Sequence, residues 1–139
     1  MREPSTVRHY RDRAEAFFQS AQLLGLDAIY GPAVGLLAVH SGIALADAVL
    51  VAEEGMRSRE EDHAAAPRAL EKLCAARRFD DAGVKHLREL VGKKSRFSYG
   101  EDQIRDEEFR SAKLKMEQFF KWVYGTFPAL ARADEADDA

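Results

Sequence analysis

Residues 33–52 read AVGLLAVHSGIALADAVLVA, an apolar run broken only by His40, Ser41 and Asp47. Twenty residues at about 1.5 Å rise would just cross a hydrocarbon layer. An aspartate at midspan argues against that, because it costs roughly 2.5 to 3.5 kcal/mol on insertion scales. Glu53 and Glu54 follow at once, no basic cluster precedes, and the flanking segments are amphipathic. The run therefore predicts the central helix of a soluble bundle, buried on most of its circumference.

Working outward, the spacing of Val7, Tyr10, Ala14, Phe17, Ala21 and Leu24 predicts a first helix over Thr6 to Leu26. Gly25 to Pro32 holds two glycines and a proline and reads as a connection. The second helix should end near Glu54 and Gly55, and a charged loop, Met56 to Asp62, leads on. A third helix carries Ala66, Leu70, Leu73 and Cys74, and Pro67 must lie in its first turn or distort it. Asp80 or Asp81 is the expected N-cap of a fourth, striped by Val84, Leu87, Leu90 and Val91. Residues 93–104, KKSRFSYGEDQI, read as a polar loop. A last helix, Arg105 to Tyr124, places Phe109, Ala112, Met116, Phe119, Phe120 and Val123 on one face, with Asp106, Glu107 and Glu108 where the helix dipole favours negative charge. The expectation is an all-α bundle of about five helices in one domain over residues 1–130, followed by a disordered acidic tail, 131–139.

Composition agrees. The 139 residues are 46% hydrophobic and 32% charged, enough for one core without staples. The single cysteine, Cys74, reads as a small core hydrophobe in a reducing compartment. The first residues have no apolar signal segment, so the cytoplasm is expected. A net charge of −3 does not describe a polycation built for nucleic acid, and leaves room only for a local basic patch.

Three groups of residues carry chemistry. His40 and Asp47 lie nearly two turns apart on one face of the central helix. A buried carboxylate needs a cation or several donors, and Arg57, Arg59, Lys93, Lys94 and Arg96 are at hand. The segment 57–63, RSREEDH, adds His63. Glu60 to His63 spells Glu-x-x-His, half of a di-iron motif, but no second copy exists and no metal is expected. The segment 93–100, KKSRFSYG, sets three cations beside two aromatic rings and two hydroxyls. Cations hold phosphate and rings stack bases, so it is the best local candidate for an RNA or nucleotide contact. Tyr99 and Phe97 plugging the bundle end is the competing reading.

In this order, the Ala-rich helix VHSGIALADAVLVAEEG, the loop RSREEDH, a two-turn apolar helix, and KKSRFSYG before a long amphipathic helix resemble the HEPN superfamily, in particular its small bacterial members. The likeness runs from Tyr10 to Tyr124. It implies a mostly antiparallel helical bundle that commonly forms homodimers and needs no cofactor. Many members are metal-independent RNases, some of them toxins held by an antitoxin, that use an Arg-x4-6-His motif. A histidine moves protons near neutral pH while an arginine neutralises phosphate.

At the corresponding place this chain has Lys94 and Tyr99 instead of arginine and histidine. A tyrosine, ordinarily near pKa 10, is a poor general base at neutral pH. The resulting expectation is a binding module for a nucleotide, RNA or a protein partner, with Asp47, Arg57, Arg59, His63, Lys94, Arg96 and Tyr99 as its site. The alternative is an atypical RNase using His63 with Arg57 or Arg59. Phe18 and Trp122, off the main stripes, are the expected source of an exposed apolar patch for a subunit contact.

Overall fold

A computed structural model of the chain describes residues 4–55, 65–100 and 103–130. Helix α1 spans Pro4–Leu24, α2 Gly31–Glu54, α3 Ala65–Arg77, α4 Val84–Gly92, α5 Lys94–Tyr99 and α6 Asp106–Thr126, and no strand occurs among the described residues. The all-α expectation holds. Two boundaries move for local reasons. The Asp80 carboxylate accepts from the backbone of Ala82 in an Asx turn, so α4 starts at Val84 instead of directly after an aspartate cap. Residues 94–99 form a sixth helix where a loop was expected, because Phe97 has an apolar seat to fill. The tail and the loop carrying Arg57, Arg59 and His63 lie outside the described residues.

Helix α2 is the axis of the fold. It is long and apolar enough to cross a membrane, yet 78% of its most apolar window is buried inside the bundle. Pro32 sits in its first turn, where the missing N–H costs nothing, and Gly55 closes it at φ 78°, a left-handed conformation that glycine adopts without strain. Its neighbours set its sides. The Phe17 ring of α1 packs at a tilt against His40, and a one-turn 3-10 helix, Ala28–Tyr30, joins the two in an antiparallel hairpin. Gly31 approaches the Phe109 ring and Gly42 approaches Phe119, so α6 runs parallel to α2. Gly42 also receives Leu87 and Leu90 of α4, and Gly35 receives Phe97 of α5.

The bundle is therefore a parallel α2/α6 pair with antiparallel α1 and α4 on its flanks. Buried Val34, Leu45, Val49, Leu70, Leu87 and Met116 belong to one continuous core.

Phe18 and Trp122 do not form an exposed patch. Phe18 packs on Phe120 with ring centroids 4.5 Å apart. Trp122 packs between Phe119 and Phe127, and its indole N–H donates to the Asp80 carbonyl at 3.1 Å, closing the connection between α3 and α4. Cys74 is buried in the core as expected; burial, with Asp81 and Asp80 nearby, pushes its thiol up to about 11.

Candidate functional site

The opposite sides of α2 divide the predicted site residues. Gly35 and Gly42 repeat after seven residues and take the side chains of α5 and α4. His40 and Asp47 also repeat after seven, but at about 100° per residue they project from the opposite side. Asp47 lies twelve residues beyond the level at which Phe97 meets Gly35, about 18 Å along the axis. The structure therefore does not bring Asp47 together with Lys94, Arg96 and Tyr99. The separation follows from the docking of α5, which period counting along α2 alone does not reveal. Arg57, Arg59 and His63 lie outside the described residues.

A residue missed from the sequence stands on the hairpin side. Arg11 is only 6% exposed and continues the buried stripe of Val7, Ala14 and Ala21. The Phe17–His40 contact sets an antiparallel register that brings Arg11 level with the Asp47 end of α2. An arginine is seldom this buried. The four-residue step from Val7 was a legible signal, hidden because Tyr10 fits the same stripe one position earlier.

The α5 segment splits into separate duties. Phe97 is buried, and a Cβ on Gly35 would stand 2.6 Å from its ring, so Phe97 alone plugs the bundle end. Arg96 is a fold tie. Its Nη2 donates to Glu108 Oε2 at 3.1 Å and to the Gln103 carbonyl at 3.3 Å, and its Nε to Glu108 Oε1 at 3.3 Å. Glu108 in turn accepts the backbone N–H of Arg105 at 2.8 Å, satisfying an open donor at the start of α6. Both bonds, Arg96 first, hold the Glu108 carboxyl below its ordinary range. The phosphate role expected for Arg96 is thus taken over by a carboxylate of its own chain.

Tyr99 faces solvent, 80% exposed, with Lys93 exposed and Lys94 half-buried one turn or more before it. Beside this turn lies a cavity of about 440 Å³ lined by Ile29, Pro32, Arg96, Ser98, Gln103 and Phe109. Base faces need an accessible ring and phosphates need cations, and α5 carries both. A second groove, about 480 Å³ between α4 and α6, carries charges of both signs, with Lys115 already 3.1 Å from Glu89. Among the described residues no cluster of three or more His, Cys, Asp or Glu suits a metal ion. Compared with protein-family models and with curated proteins, the chain matches none.

Proposed function

We propose that this protein is a HEPN-like binding module of the cytoplasm that takes single-stranded RNA or a nucleotide on α5 and lacks the standard RNase pair. The reading rests on one observation: of the two aromatic residues of α5, Phe97 fills the core and Tyr99 does not, standing 80% exposed at the end of a short helix that begins with Lys93 and Lys94. A ring that large left in water on a short lysine-bearing helix is suited to stacking a base while the lysines meet the phosphates of neighbouring nucleotides. On the resemblance, Lys94 and Tyr99 stand where nuclease members carry arginine and histidine, which supports binding without cleavage.

The test is fluorescence anisotropy with a labelled single-stranded RNA of about 12 nucleotides in chelator, within the size range such sites take. Tyr99→Ala should weaken binding about tenfold, since stacking contributes roughly 1 to 3 kcal/mol per base. Its melting temperature should stay at the wild-type value. Lys93→Ala with Lys94→Ala should weaken binding and flatten its salt dependence. Gel analysis should show the RNA intact. Absence of binding to RNA and to free nucleotides overturns the reading. Cleavage in chelator that His63→Ala abolishes replaces it with the RNase alternative.

A further inference from the structure

Packing between α4 and α6 is uneven along their length. Gly83, at the start of α4, is pressed against the Trp122 ring, and Leu87 and Phe119 converge on Gly42 next along. At the other end α4 stops at Gly92, and a Cβ added there would meet no atom within 4 Å. Ser111 and Ala112, both small, line this end from α6. The result is a groove of about 480 Å³, the size of a small-molecule site.

Its floor is apolar and fixed. Leu90 and Ala112 belong to the core, at 1% and 5% exposure. The adjoining Glu108 is held by Arg96 at 3.1 Å and by the Arg105 N–H at 2.8 Å, so its charge is already spent on the fold.

The rim carries charge as an ordered pair. Lys115 Nζ of α6 lies 3.1 Å from Glu89 Oε2 of α4, and the two side chains are 29% and 53% exposed. An ammonium has three donors and a carboxylate about four acceptor positions, so one contact leaves each with capacity in hand. The complement of such a pair is a second pair in the opposite order. A ligand carboxylate on Lys115 and a ligand ammonium on Glu89 close a ring in which every charge has opposite charges for neighbours. A ligand with a single charge meets one partner and, beside it, one like charge. We propose that the α4/α6 groove binds a small zwitterion with an apolar body, the chemistry of a free hydrophobic amino acid, with its head group on Lys115 and Glu89 and its side chain over Leu90 and Ala112. The inference goes beyond the α5 reading and does not rest on it. Lys93 lines the groove but takes no part in holding the head group.

The probe is L-phenylalanine, titrated to about 20 mM while the backbone amides are followed by heteronuclear NMR, since a ligand of about a dozen non-hydrogen atoms in an open groove should bind with a Kd of about 0.1 to 10 mM. The shifts should saturate and centre on Leu90, Gly92, Ser111 and Ala112. Phenethylamine, which lacks the carboxylate, and phenylpropionate, which lacks the ammonium, should each bind about tenfold more weakly, the worth of one charge-assisted hydrogen bond. Lys115→Met should erase the preference over phenethylamine, and Glu89→Gln the preference over phenylpropionate. A purely structural role for the pair would move neither preference. Both variants should melt close to the wild type, because an ion pair this exposed contributes little. Tyr99→Ala should bind phenylalanine as the wild type does whatever its RNA affinity, so this proposal and the α5 reading fail separately. No saturable shift with phenylalanine overturns the proposal, as do shifts centred elsewhere on the bundle or equal binding of the single-charge analogues.

Discussion

Replacing Gly35 by alanine sets two calculable effects of opposite sign against each other. Glycine inside a helix is disfavoured relative to alanine by about 1 kcal/mol, so propensity alone makes Gly35→Ala stabilising. The structure places the added Cβ 2.6 Å from Cδ1 and Cε1 of Phe97 and 2.7 Å from Cγ. No carbon pair rests at that distance, and the neighbour is a buried ring with little room to turn. Overpacking of this kind costs about 1 to 3 kcal/mol. Packing should win, for a net loss of about 1 to 2 kcal/mol. That corresponds to a melting temperature lower by roughly 3 to 10 °C for a chain of this size.

Two companions isolate the cause. In a Phe97→Ala background, itself about 3 to 5 kcal/mol less stable, the clash is gone and Gly35→Ala should turn stabilising. Gly92→Ala, at the end of α4 with no atom within 4 Å of the added carbon, should be neutral or slightly stabilising. Urea unfolding followed by far-UV circular dichroism reads the wild type and all four variants. If Gly35→Ala equals or exceeds the wild type, or if its effect is the same with and without Phe97, the account of how α5 seats on α2 is wrong. Because α5 carries Lys94 and Tyr99, the same substitution should also weaken RNA binding.

Glu108 is held below its usual 4.5 by Arg96 and then by the Arg105 amide, so its stabilising contribution is complete above the ordinary carboxylate range and fades as pH falls through its lowered value. Melting curves from pH 7 down to about 3 should show wild type losing more stability than Glu108→Gln, and parallel curves would refute this. His86 has the opposite charge type. Burial, then Lys115 and Lys85, against an opposing Glu89, lower its value from 6.5, and its Nδ1 is buried without a hydrogen-bond partner among the described residues. The unfolded chain takes up that proton first, so stability should fall as pH drops below about 6.5, and His86→Gln should lose that part of the slope. Trp122→Phe removes the bond to the Asp80 carbonyl. It should cost about 1 kcal/mol and leave RNA binding unchanged; a larger loss of binding than of stability would contradict the placement of α5 as the site.

The sequence by itself determined every described helix but α5, and most of the faces that turn inward. Apolar periods of three and four residues are local, and burial simply ratifies them: Val7, Ala14, Ala21, Leu87, Met116 and Phe119 are all core. The length of residues 33–52 was enough to make α2 the centre. What the period could not carry was anything set by the rotation of one helix against another. The helical period puts His40 and Asp47 on the side of α2 away from Gly35 and Gly42, and only the docking of α1, α4 and α5 decides which neighbour each side meets. Phe97 and Tyr99 are chemically alike and two residues apart, yet one is core and the other surface, because a glycine on a distant stretch of chain provides a seat for only one of them. Arg96 looked like a free cation until the fold brought Glu108 to it. Charge and aromaticity are properties of a residue; availability to a ligand is a property of its neighbours, and those are chosen by tertiary packing.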